Sequence, residues 1–245
     1  MIKTQSKKYN MPSHIKIFLV IFLFLSTLFA EENALEAFKK QEYSKAFKLY
    51  TVDAKSGNSV AQNALSYLYF NGIGTGKDIK EGLFWLKKSA HNMDAVAQYD
   101  LAMMYLRGDN VKQNSTLAFT WLDSSADLGN ANAQFNLALM YYQGDATDQN
   151  VTKAAELLEK AALQGHEKAQ KNIGMLYMQL IRFDDAARWL ELDAKKGNIE
   201  AYYLLGEIYC EEEKFEKAKK WVQMSIAEGN QDAQLLWNKY NLEKY

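Results

Sequence analysis

The chain repeats itself. Residues 97–105 read Ala-Gln-Tyr-Asp-Leu-Ala-Met-Met-Tyr, followed by Gly108, Ala118, Trp121, Leu122, Ala126 and Gly129. Adding 36 to each position gives Ala133-Gln134-Phe135-Asn136-Leu137-Ala138-Leu139-Met140-Tyr141, then Gly144, Ala154, Leu157, Leu158, Ala162 and Gly165. Two runs of helical spacing, joined by a glycine-containing loop and recurring at a fixed period, leave few folds open. Each unit is too small to bury its apolar face alone, and stacking on a neighbour buries it. The fold class predicted is therefore all-α, a solenoid of antiparallel helix pairs.

The register extends both ways. Upstream, Ala61-Gln62 leads through Leu65, Tyr69, Gly72, Trp85 and Ala90. Downstream, Ala169-Gln170 leads through Ile173, Gly174, Tyr177, Ala186, Trp189 and Gly197, and the period then shortens to 32 with Ala201, Gly206, Tyr209, Ala218, Trp221 and Gly229. The missing residues have left the connection between the two helices, because both helices keep their pattern. The predicted organisation is a partial repeat or cap over residues 31–58, repeats over 59–94, 95–130, 131–166, 167–198 and 199–230, and a capping helix over 231–245.

Within a repeat, the residues four, seven and eight places after the alanine fall on one side of the first helix at 100° per residue. In the second repeat these are Leu101, Met104 and Tyr105. The residue at +5 is always small (Ser66, Ala102, Ala138, Gly174, Gly206), which predicts a close approach of the second helix. Asp78, Asn114 and Asn150 stand where N-caps of the second helix belong, and Asp78 with Glu81 has capping-box spacing. Glycine closing the second helix suits a left-handed C-cap; Met93 replaces it in the first repeat.

The N-terminus reads as a targeting segment. Lys3, Lys7, Lys8 and Lys16 precede an apolar run from residue 17 to 25, and Ala30 offers a cleavage position, so residues 1–30 are expected to be a signal peptide. The expected location is exported, periplasmic or secreted, with N-terminal anchoring in a membrane as the alternative. The whole chain has 29 basic and 30 acidic residues, and losing four lysines takes its net charge from -1 to -5. That balance argues against a nucleic-acid or anionic-membrane partner. Cys210 is the only cysteine, so no intrachain disulfide forms, and it reads as a small apolar residue on a helix.

The pattern Ala-Gln-x-x-Leu-small-x-Met-Tyr-x-x-Gly, then Ala-x-x-Trp-Leu-x-x-x-Ala, resembles the Sel-one-like repeat, a relative of the tetratricopeptide repeat. Asn71-Gly72-Ile73-Gly74 matches that family's loop, whereas Leu180 and Glu212 replace the loop glycine in the fourth and fifth repeats. The resemblance implies a right-handed superhelix of helix pairs that binds other proteins, often as an exported adaptor in bacteria.

Positions -1, +2, +6 and +9 from each alanine cluster on the face of the first helix away from its core positions. They make a candidate partner-binding groove for a protein or peptide, carried by Tyr67, Phe70, Tyr99, Met103, Leu106, Phe135, Leu139, Tyr142, Met175 and Met178. The competing reading has these side chains packing between adjacent first helices. Aromatic and methionine side chains suit a surface that adapts to an extended or helical peptide.

No catalytic, metal or cofactor site is expected. His91 and His166 have no histidine or cysteine at ligand spacing, and Asp145, Thr147 and Gln149 lack the Gly and Glu of a calcium loop. Gly72, Gly74 and Gly76 follow no strand and precede no Gly-Lys-Ser/Thr. Some cysteine-rich members of the family are labelled penicillin-binding or β-lactamase proteins, which makes β-lactam hydrolysis an alternative function. The Ser-x-x-Lys that such chemistry needs occurs only at Ser13-His14-Ile15-Lys16, inside the targeting segment. A structural envelope component is the third possibility.

Overall fold

The computed structural model describes residues 33–245, and all regular structure in that range is helical. The targeting segment, its cleavage position and Ser13 to Lys16 lie outside the described residues. A helix over 33–39 (α1) precedes α2 (Tyr43–Ser56), α3 (Ser59–Asn71), α4 (Ile79–His91) and α5 (Ala95–Arg107). Then come α6 (Ser115–Asp127), α7 (Ala131–Gln143), α8 (Val151–Leu163), α9 (Glu167–Gln179) and α10 (Phe183–Lys195). The last are α11 (Glu200–Glu211), α12 (Phe215–Ala227), α13 (Gln231–Tyr240) and a short 3-10 turn, Leu242–Lys244. The chain forms two compact units, one ending at Leu101 and the other running from Ala102 to Tyr245.

In the first unit, α2 packs on α3 and α3 on α4. Its core holds Ala34, Ala37, Ala46, Tyr50, Leu65, Leu68 and Trp85, with Phe47 edge-on to Tyr69 at 5.3 Å. In the second unit each helix from α6 to α13 packs on the next, and α11 also touches α13. Repeated alanines at helix crossings (Ala118, Ala133, Ala154, Ala169, Ala186, Ala201, Ala218, Ala233) are all buried. A small side chain there lets two backbones approach, so the larger neighbours interdigitate around the crossing.

The small +5 residues work the same way. A Cβ added to Gly174 would sit 2.7 Å from Leu190, and one on Gly206 would sit 2.5 Å from Val222. Leu65, Leu101, Leu137, Ile173 and Leu205 at +4 are buried, as the periodicity predicts.

Helix ends follow from local chemistry. Asp78, Asn114 and Asn150 cap α4, α6 and α8 through their side-chain oxygens. The capping box predicted at Asp78 is only half built. Glu81 accepts from Trp85 Nε1 at 3.2 Å, and the Asp78 amide donates instead to the Tyr69 carbonyl. A second series of caps opens the first helices: Asn58, Asp94, Asn130, His166 and Asn230 accept from the amide three residues on.

At the other ends, Gly129, Gly165, Gly197 and Gly229 adopt left-handed φ values between 86° and 90°. Met93 takes the same conformation at φ 62° without being glycine, and its amide still donates to Ala90. In the shortened repeats the left-handed residue is not at Leu180 or Glu212 but one place later, at Ile181 and Glu213. Ile181 is the costliest of these, because a β-branched side chain in that region is a steric outlier. It is also 74% exposed, so its side chain returns little burial. Ile181→Gly should therefore raise stability by about 1 kcal/mol. Urea unfolding would check this, and a midpoint at or below wild type would contradict it.

Candidate functional site

Two grooves open between neighbouring first helices, one in each unit. In the first unit a groove of 390 Å³ is lined by Leu35 and Phe38 of α1 and by Val60, Asn63 and Tyr67 of α3, with Asp100 at its edge. In the second unit a groove of 330 Å³ is lined by Leu139 and Tyr142 of α7, Leu158 of α8, and Asn172, Met175 and Gln179 of α9. The two are built alike. Each takes +6 and +9 residues from one first helix and the +6 residue from the next, with a residue at +3 beside it. The same geometry arising twice follows from one repeat pattern laid on one backbone.

The residues singled out by spacing divide three ways. Tyr67 is 54% exposed, and Leu139, Tyr142 and Met175 are exposed as well. All four line the grooves. Tyr99, Met103, Leu106 and Met178 are half-buried and line neither groove. Phe70 is half-buried, with its ring where a Cβ on Gly82 would fall, 2.7 Å away. It is therefore occupied by packing on α4.

Phe135 is only 9% exposed, stacked on His166 with ring centroids 4.5 Å apart. The groove position at +2 in the third repeat is thus closed by the cap of the next first helix. Spacing missed Leu35 and Phe38, although the offset of 140 that relates Tyr43 to Phe183 also places Leu35 on Met175 and Phe38 on Met178. It also missed the +3 row.

His166 acts as a helix cap. Its Nδ1 accepts from the Ala169 amide at 3.2 Å, the N-cap bond that asparagine makes in other repeats. Burial pushes its pKa below the ordinary value, and Lys168 beside it acts in the same direction. A protonated ring has no lone pair for the cap and would sit on the positive end of α9. A depressed folded-state pKa gives stability that is complete above about pH 6.5 and is lost as pH falls through the folded value. Wild type should therefore lose thermal midpoint from pH 7.5 to 5.5, and His166→Asn should lose clearly less. Equal slopes would show that this cap does not titrate.

Other polar groups serve packing. Tyr209 donates to Glu191 at 2.8 Å, and Arg188 pairs with Glu159 at 2.7 Å while Trp189 Nε1 donates to the same carboxylate oxygen. Cys210 is buried, with its thiol pushed up to about 11 by burial. That pKa leaves almost no thiolate at neutral pH. Among the described residues no group of three or more His, Cys, Asp or Glu is placed to hold a metal ion, and no helix is long and apolar enough to cross a membrane.

What the described residues offer is a surface pattern repeated from unit to unit. The model of the Sel1 repeat matches residues 59–92, 95–130, 131–166 and 199–230, more than half of the chain. The chain belongs to the Sel1 repeat family. No curated protein matches it. Among solved structures it is similar to a protective antigen of uropathogenic Escherichia coli strains that displays an SLR fold. That likeness has 27% identity and a TM-score of 0.61 over 81% of this chain and 44% of the antigen. The chain therefore spans less than half the length of that antigen. It is also similar to a Sel1 repeat protein from Oxalobacter formigenes, at 36% identity and a TM-score of 0.50, over 51% of this chain and 93% of the other. This Sel1 repeat protein is a scaffold of the kind that typically mediates protein–protein interaction.

Proposed function

We propose that this Sel1 repeat protein is an exported adaptor that holds a peptide or protein partner in its inter-helix grooves. The observation that carries the reading is the exposure of Tyr67, Leu139, Tyr142 and Met175. Large apolar side chains, three of them at the +6 register and Tyr142 at +9, are left open to solvent where a packed core would cover them. Isolated exposed apolar residues need no explanation, but clusters lining a concavity mark interaction sites. Export rests on the basic and apolar N-terminal sequence, which lies outside the described residues.

The test is affinity capture from the source envelope with the wild-type chain, a Tyr67→Ala variant, and a Leu139→Ala/Met175→Ala variant. These exposed positions should leave circular dichroism unchanged. A partner held by wild type and weakened about tenfold by either variant supports the adaptor and says which unit holds it. A partner held equally by all three would place binding on another surface.

A further inference from the structure

The groove of the second unit has a largely apolar lining with no charged residue in it, and two lysines stand on α9 towards one end. Lys168 lies one helical turn before Asn172, and Lys171 one turn before Met175, so both project from the groove-lining face of α9. Both are exposed, and neither is ion-paired among the described residues. The lysines and arginines of this unit that do pair are Arg107, Lys153, Arg182, Arg188 and Lys214. Across the groove, α7 presents Asn132 and Asn136 at this level, which carry no charge. Glu167 precedes Lys168, and Glu200 stands at the equivalent register on α11; neither lies within 4.0 Å of a lysine nitrogen. The N-termini of α7 and α9 add their positive dipole ends on the same side. At the opposite end the groove closes on Gln179, which is neutral.

An apolar floor with unpaired cations at one end is complementary to one kind of ligand segment. We propose that this groove selects an acidic-hydrophobic peptide, with an aliphatic or aromatic side chain between Leu139, Tyr142 and Met175 and a carboxylate against Lys168 and Lys171. The proposal rests on the adaptor reading above and sharpens it. Lys171 lies about one helical turn before Met175 and Lys168 about two, roughly 6 and 10.5 Å along α9. An extended peptide covers that in about two or three residues at about 3.3–3.6 Å each, and a helical one in one or two turns. The apolar floor favours a peptide over a free anion.

The test uses a displayed library of random short peptides selected on the full-length protein, with the enriched sequences resynthesised and titrated by fluorescence anisotropy. The expected consensus is a large apolar residue followed within two to four positions by Asp or Glu. Lys168→Glu/Lys171→Glu should weaken these peptides about tenfold and flatten their salt dependence, and Lys-for-Asp peptides should recover binding to that variant. Lys168→Ala/Lys171→Ala, with intermediate loss, guards against a folding artefact of charge reversal.

Peptides that depend on Leu139 and Met175 but carry no acid, and ignore both lysine variants, would overturn the acidic selection while leaving the adaptor reading intact. Peptides indifferent to Leu139→Ala/Met175→Ala would overturn the acidic selection by this groove, and if they also ignored Tyr67→Ala they would overturn the adaptor reading as well. A library that yields no consensus would overturn the peptide proposal.

Discussion

Gly74→Ala should destabilise the first unit by about 2–4 kcal/mol, enough to bring many small units near their unfolding midpoint. Gly74 has φ 71°, and a Cβ built there would lie 2.2 Å from the carbonyl oxygen of Tyr43 and 3.0 Å from the amide of Ser44. Both neighbours are backbone at the start of α2, so no rotamer change relieves the contact. Loop or helix must move, and α2 carries the core residues Ala46 and Tyr50. The left-handed conformation alone would cost alanine about 1–2 kcal/mol, and the clash adds to it.

The third repeat supplies the control. Ala146 stands 72 residues on, at φ 58°. Its side chain already fits, so only the backbone cost applies, and Ala146→Gly should stabilise by about 1 kcal/mol. Opposite signs at one register, read by urea unfolding, would assign the first effect to the Tyr43 contact. A loss below about 1 kcal/mol for Gly74→Ala would mean that the loop relaxes freely.

The helices were legible because their causes are local. Leu, Tyr and Ala at helical spacing, Asp or Asn before α4, α6 and α8, and glycine after α6, α8, α10 and α12 are each set within a few residues. The importance of Gly74 is different. The sequence shows a glycine in a loop, but the reason for it is a backbone oxygen some thirty residues earlier. The burial of Phe135 is likewise set from a distance. Its register is that of Asn63 and Tyr99, and what buries it is an imidazole in place of asparagine at the next cap. The grooves were half legible. The +6 row came directly from periodicity, while Leu35 and Phe38 were hidden because α1 lacks the Ala-Gln that sets the register elsewhere.

That Ala-Gln pair marked the repeat without explaining itself, and its glutamine carries the second large effect. Gln134 is 4% exposed, and its Nε2 donates to the carbonyl of Ala126 at the end of α6. Its Oε1 accepts from Gln164 at the end of α8, at 2.7 Å. One amide thus ties together the helix before it, its own helix and the helix after it. The device recurs: Gln62 bonds Ala54 and accepts from Asn92, Gln98 bonds Ala90, and Gln170 bonds Ala162 and accepts from Lys196. A buried amide is favourable only when its groups are paired, so the site tolerates few side chains.

Gln134→Ala should cost about 2–3 kcal/mol, from two lost hydrogen bonds at about 1 kcal/mol each and a cavity between repeats. Gln134→Leu keeps the volume and removes the bonds, and should cost about 1–2 kcal/mol. Because a repeat array is held by its nearest-neighbour interfaces, the loss should appear as reduced cooperativity as well as a lower midpoint. Circular dichroism in urea should therefore show a shallower transition for Gln134→Ala. A core truncation inside one repeat, Ile173→Val, should lower the midpoint and keep the slope. If both variants keep the wild-type slope, the glutamine is an ordinary core residue and the interfaces are held by apolar contact alone.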